Sequence, residues 1–328
     1  MRTIFTLFLV LVLAVAGWLA WALWVPFTPE SQKFVLLHPG YSTRHIAEAL
    51  KSAGVIRSAD TFILWHYLHH GHSLKAGEYA FDKSANTLDI HKRLVKGDIY
   101  VHTVVIPEGF NIFDIARSIE EAGLGTSENF LKIAKSDTAL VSDIAPEAKT
   151  LEGYLFPNTY EFTRTQSMQE MAAAMVKQFR QVAREIGLNG DVQKIVTMAS
   201  IVERETSVPE ERPMVASVYY NRLDKRIALQ ADPSVIYAEL LQGTYSGALH
   251  HDDMKFRSDY NTYSHPGLPP GPIGNPGKTS LEAAMHPAVT NYFYFVADGS
   301  GHHRFAHDLE EHNHNVAEYR RAMKTESR

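Results

Sequence analysis

Met198-Ala199-Ser200-Ile201-Val202-Glu203-Arg204-Glu205-Thr206 ends an apolar helical pattern with two carboxylates two residues apart. At about 100° per residue, Ile195, Met198, Ala199 and Val202 share one face and Arg204 points the other way. Glu205 falls beside Met198 and Ile201, and Glu203 beside Val196 and Ala199. Both carboxylates therefore sit on margins of the buried arc, on opposite sides, and periodicity alone does not choose between them. Most acidic residues at helix ends are solvated or ion-paired, here with Arg204 or Arg212. A Glu at a helix C-terminus opposes the macrodipole, however, so two of them ask for a reason. One is acid catalysis, which needs a carboxyl desolvated enough to keep its proton near neutral pH.

Asn189-Gly190-Asp191 reads as turn and N-cap of a helix over 191–206, with further helices over 168–186 and 212–223. Between Ser258 and Lys278, Pro266, Pro269, Pro270, Pro272 and Pro276 alternate with glycines. That density forbids helix and central strand and predicts a stiff, shaped loop, with Tyr260, Asn261 and Tyr263 as a cleft wall. A short strand at 292–296 and a terminal helix after Glu310 complete a predicted α+β body over 151–328.

Upstream lies an internal repeat at an offset of 69 residues. Gly40 matches Gly109, Ile46-Ala47 matches Ile115-Ala116, and Ala53-Gly54 matches Ala122-Gly123. Each copy reads as strand, glycine turn, polar N-cap (Ser42, Asn111), amphipathic helix and glycine C-cap. The first copy resembles a LysM-type carbohydrate-binding module, which sets a small α+β subdomain over 34–104. Residues 105–150 then read as a linking segment.

Ile4 to Val25 is an uncharged run of 22 residues, and about 20 such residues span a hydrocarbon core as a helix. Trp18, Trp21 and Trp24 sit toward its far end like an interfacial belt. A cleaved signal peptide, with Ala20-Trp21-Ala22 as the cleavage site, fits less well because bulky residues crowd that site. The expectation is a transmembrane helix over 4–25. Arg2 ahead of it places residues 1–3 in the cytoplasm and the remainder outside.

Composition excludes much else. The formal charge of -5 lacks the basic footprint of a nucleic-acid binder. The absence of cysteine excludes a thiol nucleophile and zinc–thiolate chemistry.

Several ordered motifs then carry a specific resemblance. They are the helix end at 198–206, Val215-Ala216-Ser217-Val218-Tyr219-Tyr220-Asn221-Arg222-Leu223, Leu229-Gln230-Ala231-Asp232-Pro233-Ser234-Val235-Ile236-Tyr237 and Tyr260-Asn261-Thr262-Tyr263. Gly267-Leu268-Pro269-Pro270-Gly271-Pro272-Ile273, Ala284-Met285-His286-Pro287-Ala288 and Tyr294-Phe295-Val296-Ala297-Asp298-Gly299 follow. With them the chain resembles the MltG (YceG-like) endolytic murein transglycosylase family over essentially its whole length. The resemblance implies a lytic transglycosylase, without cofactor or metal, that cuts the bond between N-acetylmuramic acid and N-acetylglucosamine in nascent strands. The products would carry 1,6-anhydro ends, which makes the enzyme a terminase of glycan elongation. It implies Glu205 as the single catalytic acid and base. Glu152, Gln230, Asp232, Tyr260 and Asn261 are candidates to line the cleft, although an N-cap ahead of Pro233 is a further role for Asp232. The implied partners are peptidoglycan glycan strands and the inner membrane, with the body on its periplasmic side, and penicillin-binding peptidoglycan synthases as neighbours.

Two other classes compete. His303 and His307 have the spacing of a helical zinc pair, but Arg304-Phe305-Ala306 lacks the glutamate of a metalloprotease. An idle scaffold that binds glycan and recruits synthases would not require Glu205.

Overall fold

The computed structural model describes residues 2–69 and 72–326. The chain divides into two compact units, one of residues 1–103 and 161–167, the other of 104–160 and 168–328.

The first unit begins with helix α1 (Arg2–Trp24), long and apolar enough to cross a membrane. Then come β1 (Lys33–Leu37), α2 (Thr43–Ser52), α3 (Ala59–Leu68), β2 (Gly77–Phe81) and α4 (Thr87–Lys96). β1 and β2 pair antiparallel, from Lys33 opposite Phe81 to Leu37 opposite Gly77. Val35, Leu37, Ile46, Leu50, Phe62, Tyr79, Phe81, Ile90 and Leu94 form the core beneath this ribbon. The predicted cap is real: the Ser42 side chain accepts from the His45 amide. Past the helix end, Gly54 adopts φ +70° and the Val55 amide reaches back to Leu50 O at 2.9 Å. A left-handed residue is what lets those amides satisfy the last helical carbonyls. Buried Glu78 ties the 161–167 segment to the unit, held by Arg164 at 2.8 Å and His102 at 2.6 Å.

The second repeat folds in the same way. β3 (His102–Ile106) leads to α5 (Ile112–Glu121), capped by Asn111, and then to α6 (Ser127–Ser136). β3 pairs with β4 (Asn158–Phe162). Gly123 repeats the left-handed turn at φ +69°. Residues 105–150, read as the segment that links the two domains, carry α5 and α6. Ile112, Ile115, Ile119 and Phe130 are fully buried, and 104–160 belongs to the second unit. The strand, Asn111 cap, helix and glycine turn read from the second copy of the repeat lie within this segment.

The rest of that unit comprises α7 (Met168–Glu185), α8 (Val192–Glu205), α9 (Arg212–Asp224), α10 (Asp232–Gln242) and α11 (Lys278–Met285). A β5 (Tyr294–Ala297) and β6 (His303–Ala306) hairpin and α12 (Leu309–Glu326) follow. α8 packs on α9, α10 and α11, with Val196, Met198, Ala199, Ile201 and Val202 fully buried. The proline- and glycine-rich stretch from 258 to 277 has neither strand nor α-helix, as expected. Ser200 pins it from within α8, accepting from the Ile273 amide at 3.0 Å while donating to Thr197 O at 2.8 Å.

A cleft at the end of helix α8

α8 starts where Asp191 caps it, its side chain accepting from the Lys194 amide at 3.0 Å. Fourteen residues later its last turn sends the two carboxylates in different directions. Glu203 turns to structure: Oε1 takes Arg212 Nη2 at 2.9 Å and Oε2 accepts from the Gly277 amide at 2.9 Å. Both ion-pair partners are nearly buried, at 5 % and 6 % side-chain exposure, so Glu203 is neutralised and committed.

Glu205 turns to a cleft of about 270 Å³, which it lines with Tyr219, Arg222, Gln230, Asp232, Tyr263 and His312. Burial is the first cause that raises its carboxyl, to about 7, and the charge of Asp232 pushes the same way. A hydrogen bond from the Tyr219 hydroxyl and the charge of Arg222 pull against that shift. A carboxyl raised this far keeps a proton available near neutral pH, the condition a general acid needs.

The walls are set by hydrogen bonds rather than by regular structure. Arg222, on α9, donates to Phe293 O at 2.7 Å, to Leu229 O at 2.8 Å and to Gln230 Oε1 at 3.3 Å. It also lies under the Tyr294 ring, 5.1 Å from its centroid. One buried guanidinium therefore joins the hairpin to the 228–230 turn. Gln230 takes a left-handed backbone, φ +55°, which costs a non-glycine residue on the order of 1 kcal/mol. Its amide is held by Thr262 O at 3.1 Å, and Thr262 Oγ1 accepts from the Ala231 amide at 2.9 Å. Tyr263 donates its hydroxyl to Asp232 Oδ1. Asp232 is not an N-cap: Ala231 occupies that position, and the Asp232 side chain faces the cleft from the first turn of α10.

The predicted site residues thus divide. Glu205, Gln230 and Asp232 meet in one cleft. Glu152 does not reach it. Only 1 % exposed, it accepts from the Ile112 amide (3.0 Å), Tyr237 Oη (2.8 Å) and Asn275 Nδ2 (2.9 Å). Burial pushes its carboxyl up to about 8 despite these donors. It joins α5, α10 and the 275 loop from inside. Gly153 beside it has φ +88°, and a Cβ there would stand 2.5 Å from Pro272 and 2.7 Å from Val196, so only glycine allows that turn. Asn261 is fully buried, donating to Met254 O and Phe256 O, which makes it a loop brace. Tyr260 leans on Tyr237, ring centroids 5.1 Å apart, and is not among the residues lining the Glu205 cleft. For these three, a polar residue in a loop read as a cleft lining because sequence cannot tell which side of a loop faces inward.

Of the residues read from sequence as a cleft wall, Tyr263 lines this cleft, whereas sequence reasoning missed Tyr219, Arg222, Phe295 and His312. Tyr219 and Arg222 had a usable signal, standing three apart on one helix where a single turn brings them to one side. His312 stacks on Tyr294 at 5.2 Å, a pairing with no local signature. The helical zinc pair does not form, because His303 lies on β6 and its Nδ1 engages Glu211 at 2.7 Å.

Comparison with known proteins matches this geometry to a family. A profile of the YceG-like family matches residues 35–318. An endolytic murein transglycosylase of Bacillus subtilis is 34 % identical over 296 residues, spanning 84 % of this chain and 81 % of that protein. One from Streptococcus pneumoniae is 30 % identical over 331 residues, and the match spans 90 % of this chain but 60 % of that longer protein. The crystal structure of a yceG-like protein from Listeria monocytogenes superposes with a TM-score of 0.56 at 34 % identity, over 87 % of this chain and 99 % of that one. The chain belongs to the YceG-like family.

Proposed function

We propose that this protein is a peptidoglycan lytic transglycosylase that cleaves between N-acetylmuramic acid and N-acetylglucosamine and leaves 1,6-anhydro ends. The observation that carries this reading is Glu205, a carboxyl held near pH 7 in a polar cleft, in a chain whose relatives are named endolytic murein transglycosylases. Protonated Glu205 gives its proton to the bridging oxygen as the C1–O bond breaks. The ring takes on oxocarbenium character, which the negative charge of Asp232 across the cleft favours. The Glu205 carboxylate, steadied by the Tyr219 hydroxyl, then takes the proton of the muramic acid C6 hydroxyl as O6 closes on C1. No water is added and Glu205 ends protonated, so one carboxyl completes the cycle.

Gln230 and Asp232 contact the sugar in this scheme. Glu152, Asn261 and Tyr260 act on it through the loops they brace. The β1-α2-α3-β2 order supports a LysM-like, glycan-holding role for the first unit. α1 supports placement at the inner membrane with the cleft on the periplasmic side. There the enzyme would cut nascent strands beside penicillin-binding synthases and terminate their elongation.

The cleft also favours a second reading, because Asp232 is a second carboxylate lining it and a hydrolase uses two. Mass analysis of products from purified glycan strands separates the two. Anhydro ends are expected, and ends heavier by one water would replace the transglycosylase with a hydrolase.

A further inference from the structure

α3 turns large apolar residues outward. Thr61, Phe62 and His66 face the core, while Leu64, Tyr67 and Leu68, one turn apart, are 45 %, 68 % and 66 % exposed. A short helix with large apolar residues outward needs a partner, since isolated amphipathic faces normally turn polar groups to water.

Its position next to α1 says which partner. Ala22 and Leu23, in the last turn of α1, are buried against α3 and α4. Trp24 meets Trp65 of α3 edge to face at 6.1 Å, and Thr87 of α4 donates to Ala22 O at 2.9 Å. Arg57 reaches Val25 O and Pro26 O and lies over the Trp21 ring at 4.5 Å. Twenty-three helical residues extend about 34 Å, barely more than a hydrocarbon core of about 30 Å. No length of α1 is left to lift the unit away from the bilayer, so its C-terminal turn, and the helices packed on it, lie at headgroup level. Between α3 and α4 runs an open groove of about 520 Å³, with Trp65, Leu68, Leu88 and Val95 on its walls and Lys92 and Lys96 at its rim. Both lysines are exposed; Lys92 makes only a loose solvent pair with Asp89 at 3.9 Å.

We infer that the outer face of α3 and the basic rim of α4 form a second membrane contact, in which Leu64, Tyr67 and Leu68 enter the interface and Lys92 and Lys96 meet anionic phospholipid headgroups. This rests on the reading of α1 as an anchor. Its consequence is mechanical: the first unit is seated on the bilayer by a surface rather than swinging from a single helix.

The chain has no native cysteine, which allows a direct test on the full-length protein. Single-cysteine variants L9C, within α1, and L68C, on the patch, are labelled with an environment-sensitive fluorophore and reconstituted in vesicles containing phosphatidylglycerol. Lipids carrying a quencher just below the headgroup are then included. Emission from both is expected to fall by about half or more, because interfacial helices seat about 5–10 Å into that region. Quenching at L68C should weaken in pure phosphatidylcholine and in the K92E/K96E background. Quenching of L9C without L68C would overturn the second contact while the anchor stood. Quenching of neither would overturn the anchor and the contact together. Equal quenching of L68C in both lipids would remove the anionic headgroup from the proposal.

Discussion

Glu205→Gln should inactivate the enzyme and, above neutral pH, make it more stable. The carboxyl ionises near 7 in the folded protein, against an ordinary 4.5, with desolvation as the main cause. Across that window the folded state holds a proton that the unfolded chain releases, so rising pH draws the equilibrium toward unfolding. At about 1.4 kcal/mol per pH unit, the full penalty above pH 7 is about 3 kcal/mol. The carboxyl opens on solvent in the cleft, and discounting for screening leaves about 2 kcal/mol. Glutamine keeps the shape, bears no charge at any pH and avoids the penalty. For a unit of this size, about 2 kcal/mol is a rise in Tm of about 4–8 °C. Thermal melts of both proteins at about pH 5 and about pH 8 test it: the gap should be small at the lower pH and open at the higher. Strand cleavage measured beside the melts should fall by at least about 10²–10⁴-fold. A gap that stayed constant with pH, or a mutant less stable at high pH, would show that Glu205 carries no desolvation strain. A well-folded mutant that still cut strands would remove it as the catalytic acid.

Glu203→Gln should do the reverse, destabilising by about 3 kcal/mol because nearly buried Arg212 then keeps only its longer, 3.6 Å pair with the half-exposed Glu108, while turnover per folded molecule stays within about tenfold; an inactive but fully stable variant would move the catalytic assignment by two residues. Activity of the wild type should decline as pH rises through about 7, since the proton donor is then lost, and a flat profile up to about pH 9 would contradict that. Tyr219→Phe removes a bond that favours the carboxylate, so this alkaline limb should move up by about 0.5–1 pH unit, whereas Asp232→Asn removes a like charge and should move it down. Shifts in the same direction for both variants, read from kcat/KM profiles, would refute the electrostatic account of the cleft.

Local chemistry explains what was legible. α8 was readable because an Asp cap, a 3.6-residue apolar period and a terminal Glu pair all lie within sixteen contiguous residues. The Ser42 and Asn111 caps and the glycine turns after α2 and α5 were readable for the same reason, since each bond spans only a few residues. The proline-dense loop could be excluded from regular structure, but its path could not be read.

What remained hidden depends on groups far apart in sequence. Glu203 and Glu205 have nearly equal claims on the helical wheel, and Arg212 with the Gly277 amide decides between them by claiming the first. Glu152 and Gln230 both read as polar loop residues; one is sealed by Tyr237 and Asn275, more than eighty residues away, and the other is turned to the cleft by Arg222 and Thr262. Residue order alone gave away α2, α5, α7, α8 and α9, the caps at Ser42, Asn111 and Asp191, the apolar N-terminal segment and the carboxyl pair, because propensity and periodicity act over a few residues; α3, α4, α6, α10 and α11 were not read from it. Which carboxyl is charge-paired and which is left desolvated at a cleft follows from packing, because burial and ion pairing are set by elements that folding alone brings together.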